Sequence, residues 1–266
     1  MLLNYFGPQP SDKAAIWRFL DMKKFRDLMA NEELYFCRAD LFNQDPNEGS
    51  PQDEWLRAVL GIRRGFLADE IKLRNAKGDL SQFRESSFIS CWHLFEGEDP
   101  AMWKDFAPYG VAICSRYGLL KRALKRFIDP IQIGVTVYHA PQRYNTFHFI
   151  FSKGSGFTTE KEVRIVLSSY DPVAGNNRHY GRNGATYERP QDENRLHPWV
   201  MAGKRRRVDL KALITKVVVS PWASAKIYDE IGVWKNCKSG ATFQITRSTL
   251  KSTLLLSPKR LAKVKL

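Results

Sequence analysis

Two carboxylates and a guanidinium lie close together between residues 158 and 167 of this 266-residue sequence. Apolar residues alternate in the second half of this stretch, at Val163, Ile165 and Leu167. Because such alternation with β-branched residues is typical of a strand, Glu160, Glu162 and Arg164 are predicted to share its other face. Paired carboxylates can stabilise a developing positive charge, hold hydroxyl groups or accept a proton. A solvated sheet face with a row of ion pairs shows the same pattern, so this stretch alone leaves both interpretations open.

Two other polar side chains occur within predicted strands earlier in the chain. Arg38 ends the strand predicted over 34–38, on an otherwise apolar face. Ser90 places a hydroxyl in the middle of the strand predicted over 86–93. The turn-rich loop over 39–49 follows Arg38 directly, and loops in this position often carry functional residues.

Short strands and short helices are mixed along the whole chain. Strands are predicted over 34–38, 86–93, 110–114, 131–138, 160–167, 213–220 and 242–245. Helices are predicted over 11–20, 22–30, 53–60, 66–76, 100–106, 119–127 and 223–231, whereas 146–151 fits either a strand or a helical turn. This mixture predicts a single α+β domain over residues 1–266, with a mostly antiparallel split sheet flanked by short helices.

The net charge of +14 is unevenly distributed. Residues 170–266 carry 19 Lys and Arg against 7 Asp and Glu, whereas residues 1–169 carry 23 against 21. The basic part contains a predicted loop insertion over about 170–207, rich in Gly, Asn and Arg, and a basic tail over about 257–266. This asymmetry indicates a polyanionic partner: nucleic acid, an acidic protein or an anionic membrane surface. The candidate phosphate-binding residues are Arg178, Arg182, Lys204, Arg205, Arg206 and Arg207.

The remaining composition narrows the class of protein. No apolar run approaches the ~20 residues that span a bilayer, and the N-terminal residues lack the pattern of a signal peptide. The cysteines, Cys37, Cys91, Cys114 and Cys237, form no CxxC pair, and the five histidines show no HxxxH spacing. These features predict a cytoplasmic protein without disulfides, without a metal site and without a membrane partner.

Several motifs resemble the signatures of a prokaryotic domain family of unknown function. Residues 40–49, DLFNQDPNEG, resemble its FNDPFEG loop, and residues 102–107, MWKDFA, resemble its MWxxYA helix. Residues 110–113, GVAI, and 160–164, EKEVR, resemble two strands that follow in that family. The sequence departs from the family pattern at Gln44, Asn47 and Phe157.

The order of Arg38, Ser90 and Glu160–Lys161–Glu162 also resembles the Arg–Ser–Glu pattern of ADP-ribosyltransferases. The resemblance implies their split antiparallel sheet and NAD as the substrate. It implies that Glu162 stabilises the cationic ribose and holds its hydroxyl groups. It implies that Glu160 orients the acceptor or takes its proton.

The same resemblance implies several contacts to NAD. Arg38 would pair with the phosphates or fix the ribose, and Ser90 would bond the ribose or position the catalytic carboxylate. Trp103 or Tyr109 would stack on the nicotinamide, although either residue equally fits the core. Arg164 is expected to be a structural partner of a glutamate.

The sequence therefore predicts an NAD-dependent ADP-ribosyltransferase that modifies nucleic acid, with RNA favoured over DNA. A bacterial toxin or phage-defence effector would fit, with a neutralising antitoxin protein as a possible partner. One alternative is a non-catalytic nucleic-acid-binding module with a vestigial cleft. The other is a nuclease in which Asp40, Asp45, Glu48 and Glu162 hold a divalent ion.

Overall fold

A computed structural model describes residues 3–42, 51–127, 129–139, 144–168, 202–235 and 243–250. These residues form one ten-stranded sheet flanked by helices. The strands are β1 (Leu3–Phe6), β2 (Ala15–Leu20), β3 (Glu33–Arg38), β4 (Ser87–Leu94), β5 (Val111–Arg116), β6 (Ile131–Val135), β7 (Glu162–Ser168), β8 (Gly203–Arg207), β9 (Lys216–Val219) and β10 (Gln244–Arg247). The helices are α1 (Met22–Asn31), α2 (Asp53–Leu60), α3 (Leu67–Glu85), α4 (Pro100–Phe106), α5 (Tyr117–Leu124), α6 (Thr146–Ile150), α7 (Leu210–Leu213) and α8 (Ala225–Lys235), and Ala39–Leu41 and Ser155–Glu160 are 3₁₀ helices.

The sheet is mixed, and most of its pairs are antiparallel. The main path runs β1-β6-β7-β4-β2-β5-β9-β10, and β3 pairs with both β4 and β8. Within the described strands, the β1–β6 and β9–β10 pairs are parallel and the other pairs are antiparallel. The predicted α+β class with a mostly antiparallel sheet is therefore confirmed.

The sheet divides along one edge of β4. Its β7 edge is paired continuously from Ser87 to His93. Across the described strands, the other edge pairs with β3 at Phe88 and Ile89, and with β2 at His93 and Leu94. Strands β2 and β3 therefore diverge and leave a gap beside the middle of β4, which we call the notch.

Both faces of the central strands are buried. On one face Phe88, Trp92 and Ile165 belong to the largest apolar cluster, which α1, α5, α7 and α8 cover. On the other face Trp17 and Phe19 pack against α4, and a neighbouring cluster packs against α6. Burial of large apolar side chains on both faces stabilises the sheet around the notch by removing apolar area from water.

The predicted helix over 11–20 is wrong, because residues 15–20 form strand β2. Ile16, Trp17, Phe19 and Leu20 are all buried, so the segment shows no one-sided pattern that would separate a helix from a doubly buried strand. Antiparallel pairing with β5 over all six residues determines its conformation. The consequence for the site is that Arg18 lies on a central strand.

Other segments also differ from the prediction. The strand β1 is not among the predicted strands, whereas residues 146–150 form helix α6, which is the helical one of the two alternatives left open for 146–151. Residues 203–207, predicted as the end of the loop insertion, form β8 because they pair with β3 in register. The rest of that insertion, residues 170–201, and the tail over 257–266 lie outside the described residues.

None of the helices in the described ranges combines the length and apolar character that a membrane crossing requires.

Candidate active site

A cavity of about 330 Å³ lies at the notch. Strands β2, β3 and β4 form most of its wall, and Phe42 and Phe106 border it. Its polar lining side chains include Arg18, Ser90, Cys91, His93, Lys153 and Glu162. The volume lies within the range of small-molecule sites, which combine an apolar wall with a few convergent polar groups.

Glu162 is buried at the start of β7, opposite His93 of β4. Arg164 donates to Glu162 Oε2 twice, from Nε at 2.8 Å and from Nη2 at 2.7 Å. The Arg164 side chain is itself fully buried, and its Nη1 donates to the carbonyl of Ile150. The tight alternation of β7 brings both residues to the same face, as the sequence predicted, and that face is buried rather than solvated.

Glu160 reaches the same cluster by a different backbone path from the one predicted. It ends the 3₁₀ helix before β7, and Lys161 follows in the left-handed region with φ of 45°. Lys153 Nζ lies 2.7 Å from Glu160 Oε2 and 3.6 Å from Glu162 Oε1. Lys153 therefore links the two carboxylates. Lys153 and Glu162 border the cavity, and Glu160 lies behind Lys153.

The two carboxyl groups differ in acidity because their surroundings differ. Burial raises the pKa of Glu160 to about 7, although the hydrogen bond from Lys153 opposes the shift. Burial would also raise the pKa of Glu162, but the charges of Arg164 and Lys153 outweigh it and lower that pKa to about 2. Glu162 is thus an anion at neutral pH, whereas Glu160 titrates near neutrality, a separation typical of acid–base pairs.

Arg18 of β2 reaches across the notch. Its Nη1 donates to Ser90 Oγ at 2.7 Å, and its Nη2 donates to the Tyr35 carbonyl at 3.1 Å. Burial lowers the pKa of the Arg18 guanidinium to about 10, so the group stays charged at neutral pH. Ser90 therefore holds a cation at the cavity wall.

The predicted arginine, Arg38, is placed elsewhere. Its Nε and Nη2 donate to the carboxylate of Asp40 at 2.6 and 3.0 Å, and it does not border the cavity. Arg18 is absent from the predicted site because a helix is predicted over this segment. Its neighbours Ile16, Trp17, Phe19 and Leu20 are buried on both faces of the strand, so the segment offers no alternation that indicates β2.

The two predicted stacking aromatics do not border the cavity either. Trp103 is fully buried, packs edge-on against Phe19 with ring centroids 5.0 Å apart, and donates to Glu98. Tyr109 is exposed at 39%. Trp103 is a core residue, and Phe106, one helical turn further along α4, is the aromatic side chain that α4 contributes to the wall.

The predicted phosphate-binding residues of β8 are mostly engaged by acidic side chains. Arg205 pairs with Asp27, and Arg206 makes a two-pronged pair with Asp129. Lys204 Nζ lies 4.6 Å from the centre of the Phe88 ring. Arg207 is 81% exposed and lies 3.9 Å from Glu32. Arg178 and Arg182 lie outside the described residues.

No three His, Cys, Asp or Glu side chains in the described ranges lie close enough to hold a metal ion. Of the acids that the nuclease hypothesis requires, Asp40 is paired with Arg38 and Glu162 with Arg164. Asp45 and Glu48 lie outside the described residues.

No protein-family model, no curated protein and no solved structure matches the chain. The resemblances noted in the sequence therefore stay predictions.

Proposed function

We propose that this protein is an NAD-dependent ADP-ribosyltransferase that modifies nucleic acid. The observation that carries the proposal is the ionised, buried Glu162 on the wall of the notch cavity, together with Arg18 and Ser90. A fixed anion on the wall of a cavity stabilises a developing cation far better than the same anion in bulk water. The reaction that this arrangement favours is one in which a sugar carbon becomes cationic.

The proposed step breaks the bond between the ribose C1′ and the nicotinamide nitrogen. The bonding electron pair leaves with neutral nicotinamide, and the positive charge on C1′ is stabilised by Glu162. An acceptor N–H or O–H then attacks C1′ and loses its proton. Lys153 can relay that proton, because it borders the cavity and donates to Glu160 at 2.7 Å: its ammonium gives one proton to the ionised Glu160 carboxylate, and the lone pair this frees on Nζ takes the proton of the acceptor.

The chain order of the cavity residues also supports this class. With Arg18 in the place predicted for Arg38, the order is Arg18, Ser90, Glu160 and Glu162, and all four lie at or directly behind one cavity. Strands β2 and β3 separate at this point, as in the split sheet that the Arg–Ser–Glu resemblance implies. We accordingly propose an ADP-ribosyltransferase-like fold.

A second cavity adjoins the notch cavity, and the two together fit a substrate with two parts. The second cavity has a volume of about 600 Å³ and shares four lining residues with the notch cavity: Arg18, Leu20, Lys24 and Tyr35. Two of these shared residues, Arg18 and Lys24, are cations at the boundary between the two cavities. A dinucleotide has two ring systems joined by an anionic diphosphate, and cations at the boundary would bind the diphosphate.

The pH dependence of the rate tests the proposed role of Glu160. We expect transfer of ADP-ribose to the acceptor to rise with pH through about 7 and then level off, because the Glu160 carboxyl must be ionised to accept the acceptor's proton. Glu160→Gln should flatten this rise while Glu160→Asp retains part of it. An unchanged profile in Glu160→Gln would assign the proton transfer to another group.

The basic last third motivates nucleic acid as the acceptor, with RNA preferred. Among the β8 arginines, we expect Arg207→Ala to reduce the slope of log K against log salt by about 0.7, the value for one lost contact to single-stranded phosphate. Arg206→Ala should leave the slope nearly unchanged, because Asp129 already neutralises Arg206. Fluorescence anisotropy with labelled RNA at several salt concentrations measures both. Equal effects of the two substitutions would show that the ion pairs do not decide which arginines bind RNA.

A further inference from the structure

His93 is a buried polar residue that the proposed reaction does not yet use. It is 4% exposed and borders the notch cavity opposite Glu162. Its Nδ1 lies 2.9 Å from the backbone carbonyl of Glu160, which can only accept a hydrogen bond. Nδ1 therefore carries the proton in the neutral ring, and Nε2 holds a lone pair.

In the part of the chain that the structure describes, the hydrogen bond of the His93 ring is made by Nδ1, and the ring borders the cavity, so Nε2 stays open to a ligand there. The ring cannot turn freely, because three aromatic rings surround it. Phe95 stacks on it with centroids 6.2 Å apart, Phe106 lies at 5.4 Å and Phe19 at 5.9 Å. An acceptor held in one orientation on the wall of a cavity of this size is available to a donor group of a bound molecule.

The ring stays neutral in this environment. Burial lowers the pKa of His93, and this effect exceeds the opposing influence of the Glu162 charge. Lys153 and Arg18 add to the lowering, since both are cations near the ring. At physiological pH, Nε2 is therefore a hydrogen-bond acceptor and not a donor.

We infer that His93 is a ligand-binding residue whose Nε2 accepts a hydrogen bond from a neutral O–H or N–H group of the molecule held beside Glu162. The inference rests on the proposed function for the identity of that molecule. In NAD, the donor is either a hydroxyl of the nicotinamide ribose or the N–H of the carboxamide. The open acceptor thus selects for a ligand with a donor at this point, since an analogue without the donor leaves Nε2 unpaired.

The inference is tested by NAD binding to the full-length protein. We expect His93→Phe, which retains a flat ring, to weaken NAD binding by about fivefold to tenfold, the value of one hydrogen bond between neutral groups. His93→Gln should recover part of the affinity. His148→Phe is the matched control, because His148 does not border the cavity. An analogue with an acetyl group in place of the carboxamide, and a second analogue lacking the 2′-hydroxyl, identify which donor reaches Nε2.

A second measurement does not depend on folding of the variants. The nitrogen chemical shifts of the His93 ring in the unmodified protein distinguish a protonated from an unprotonated nitrogen. Nε2 should be unprotonated in the free protein, and its shift should move when NAD donates a hydrogen bond to it. A protonated Nε2 would contradict the open acceptor, and absence of NAD binding would overturn NAD as the ligand, while tight NAD binding with an unmoved shift would overturn only the role of His93.

Discussion

Glu162→Gln is expected to lower the rate of nicotinamide release by about 10²- to 10³-fold, the usual loss when one preorganised electrostatic group is removed from an active site. The amide retains the size of the side chain and an oxygen that can accept from Arg164. It removes the negative charge that the arginine and Lys153 maintain at neutral pH. Affinity for NAD should change much less than the rate, because the carboxylate acts mainly on the cationic transition state.

The control for this prediction has to separate chemistry from folding, because Glu162→Gln also leaves Arg164 without a buried counter-charge. The double variant Glu162→Gln with Arg164→Met removes both charges together. It should fold, bind NAD and show the same loss of rate as the single variant. A double variant with the activity of the unmodified protein would mean that Glu162 has a structural role alone.

Arg164→Met is expected to destabilise the fold by about 3–5 kcal/mol, the range for breaking a buried ion pair by removing one partner. Arg164 is fully buried and Glu162 is 4% exposed, so little water can reach the carboxylate in place of the lost partner. The variant leaves Glu162 with Lys153, at 3.6 Å, as its remaining ion-pair partner among the described residues. Urea unfolding monitored by circular dichroism measures the loss.

The double variant again supplies the comparison. Adding Glu162→Gln to Arg164→Met removes the unpaired carboxylate, so it should restore a large part of the lost free energy of unfolding. Arg26→Met is a matched control, because Arg26 pairs with Glu230 at the surface and its loss should destabilise the fold far less. Similar losses in Arg164→Met and Arg26→Met would contradict a buried, charge-dependent network.

Part of the site could be predicted from the sequence because its signal is local. Apolar residues recur at every second position from Val163 to Leu167, which is the period of a strand. This period alone predicts β7 and places Glu162 and Arg164 on the same face. The hydroxyl of Ser90 within an apolar run was likewise visible, and the structure places it on the cavity wall. These are properties of single strands.

The rest depends on which strands meet, and a single segment does not carry that information. Arg18 lies in a segment that is apolar on both faces, so only its pairing with β5 distinguishes a strand from a helix. Lys153 reaches the glutamates from outside β7, through packing that no motif indicates. Arg205 and Arg206 of β8 form ion pairs with Asp27 and Asp129, which lie far away in the sequence. The number of cations in β8 therefore overestimates how many are available to bind phosphate.

The most direct test of the central claim is incubation of the purified full-length protein with RNA and NAD labelled on its adenylate phosphate. We predict that free nicotinamide appears together with an equal amount of label on the RNA. Folded Glu162→Gln protein should produce neither above about one hundredth of that rate. Folded, unmodified protein that binds NAD or RNA yet releases no nicotinamide would contradict the proposal that this cavity transfers ADP-ribose.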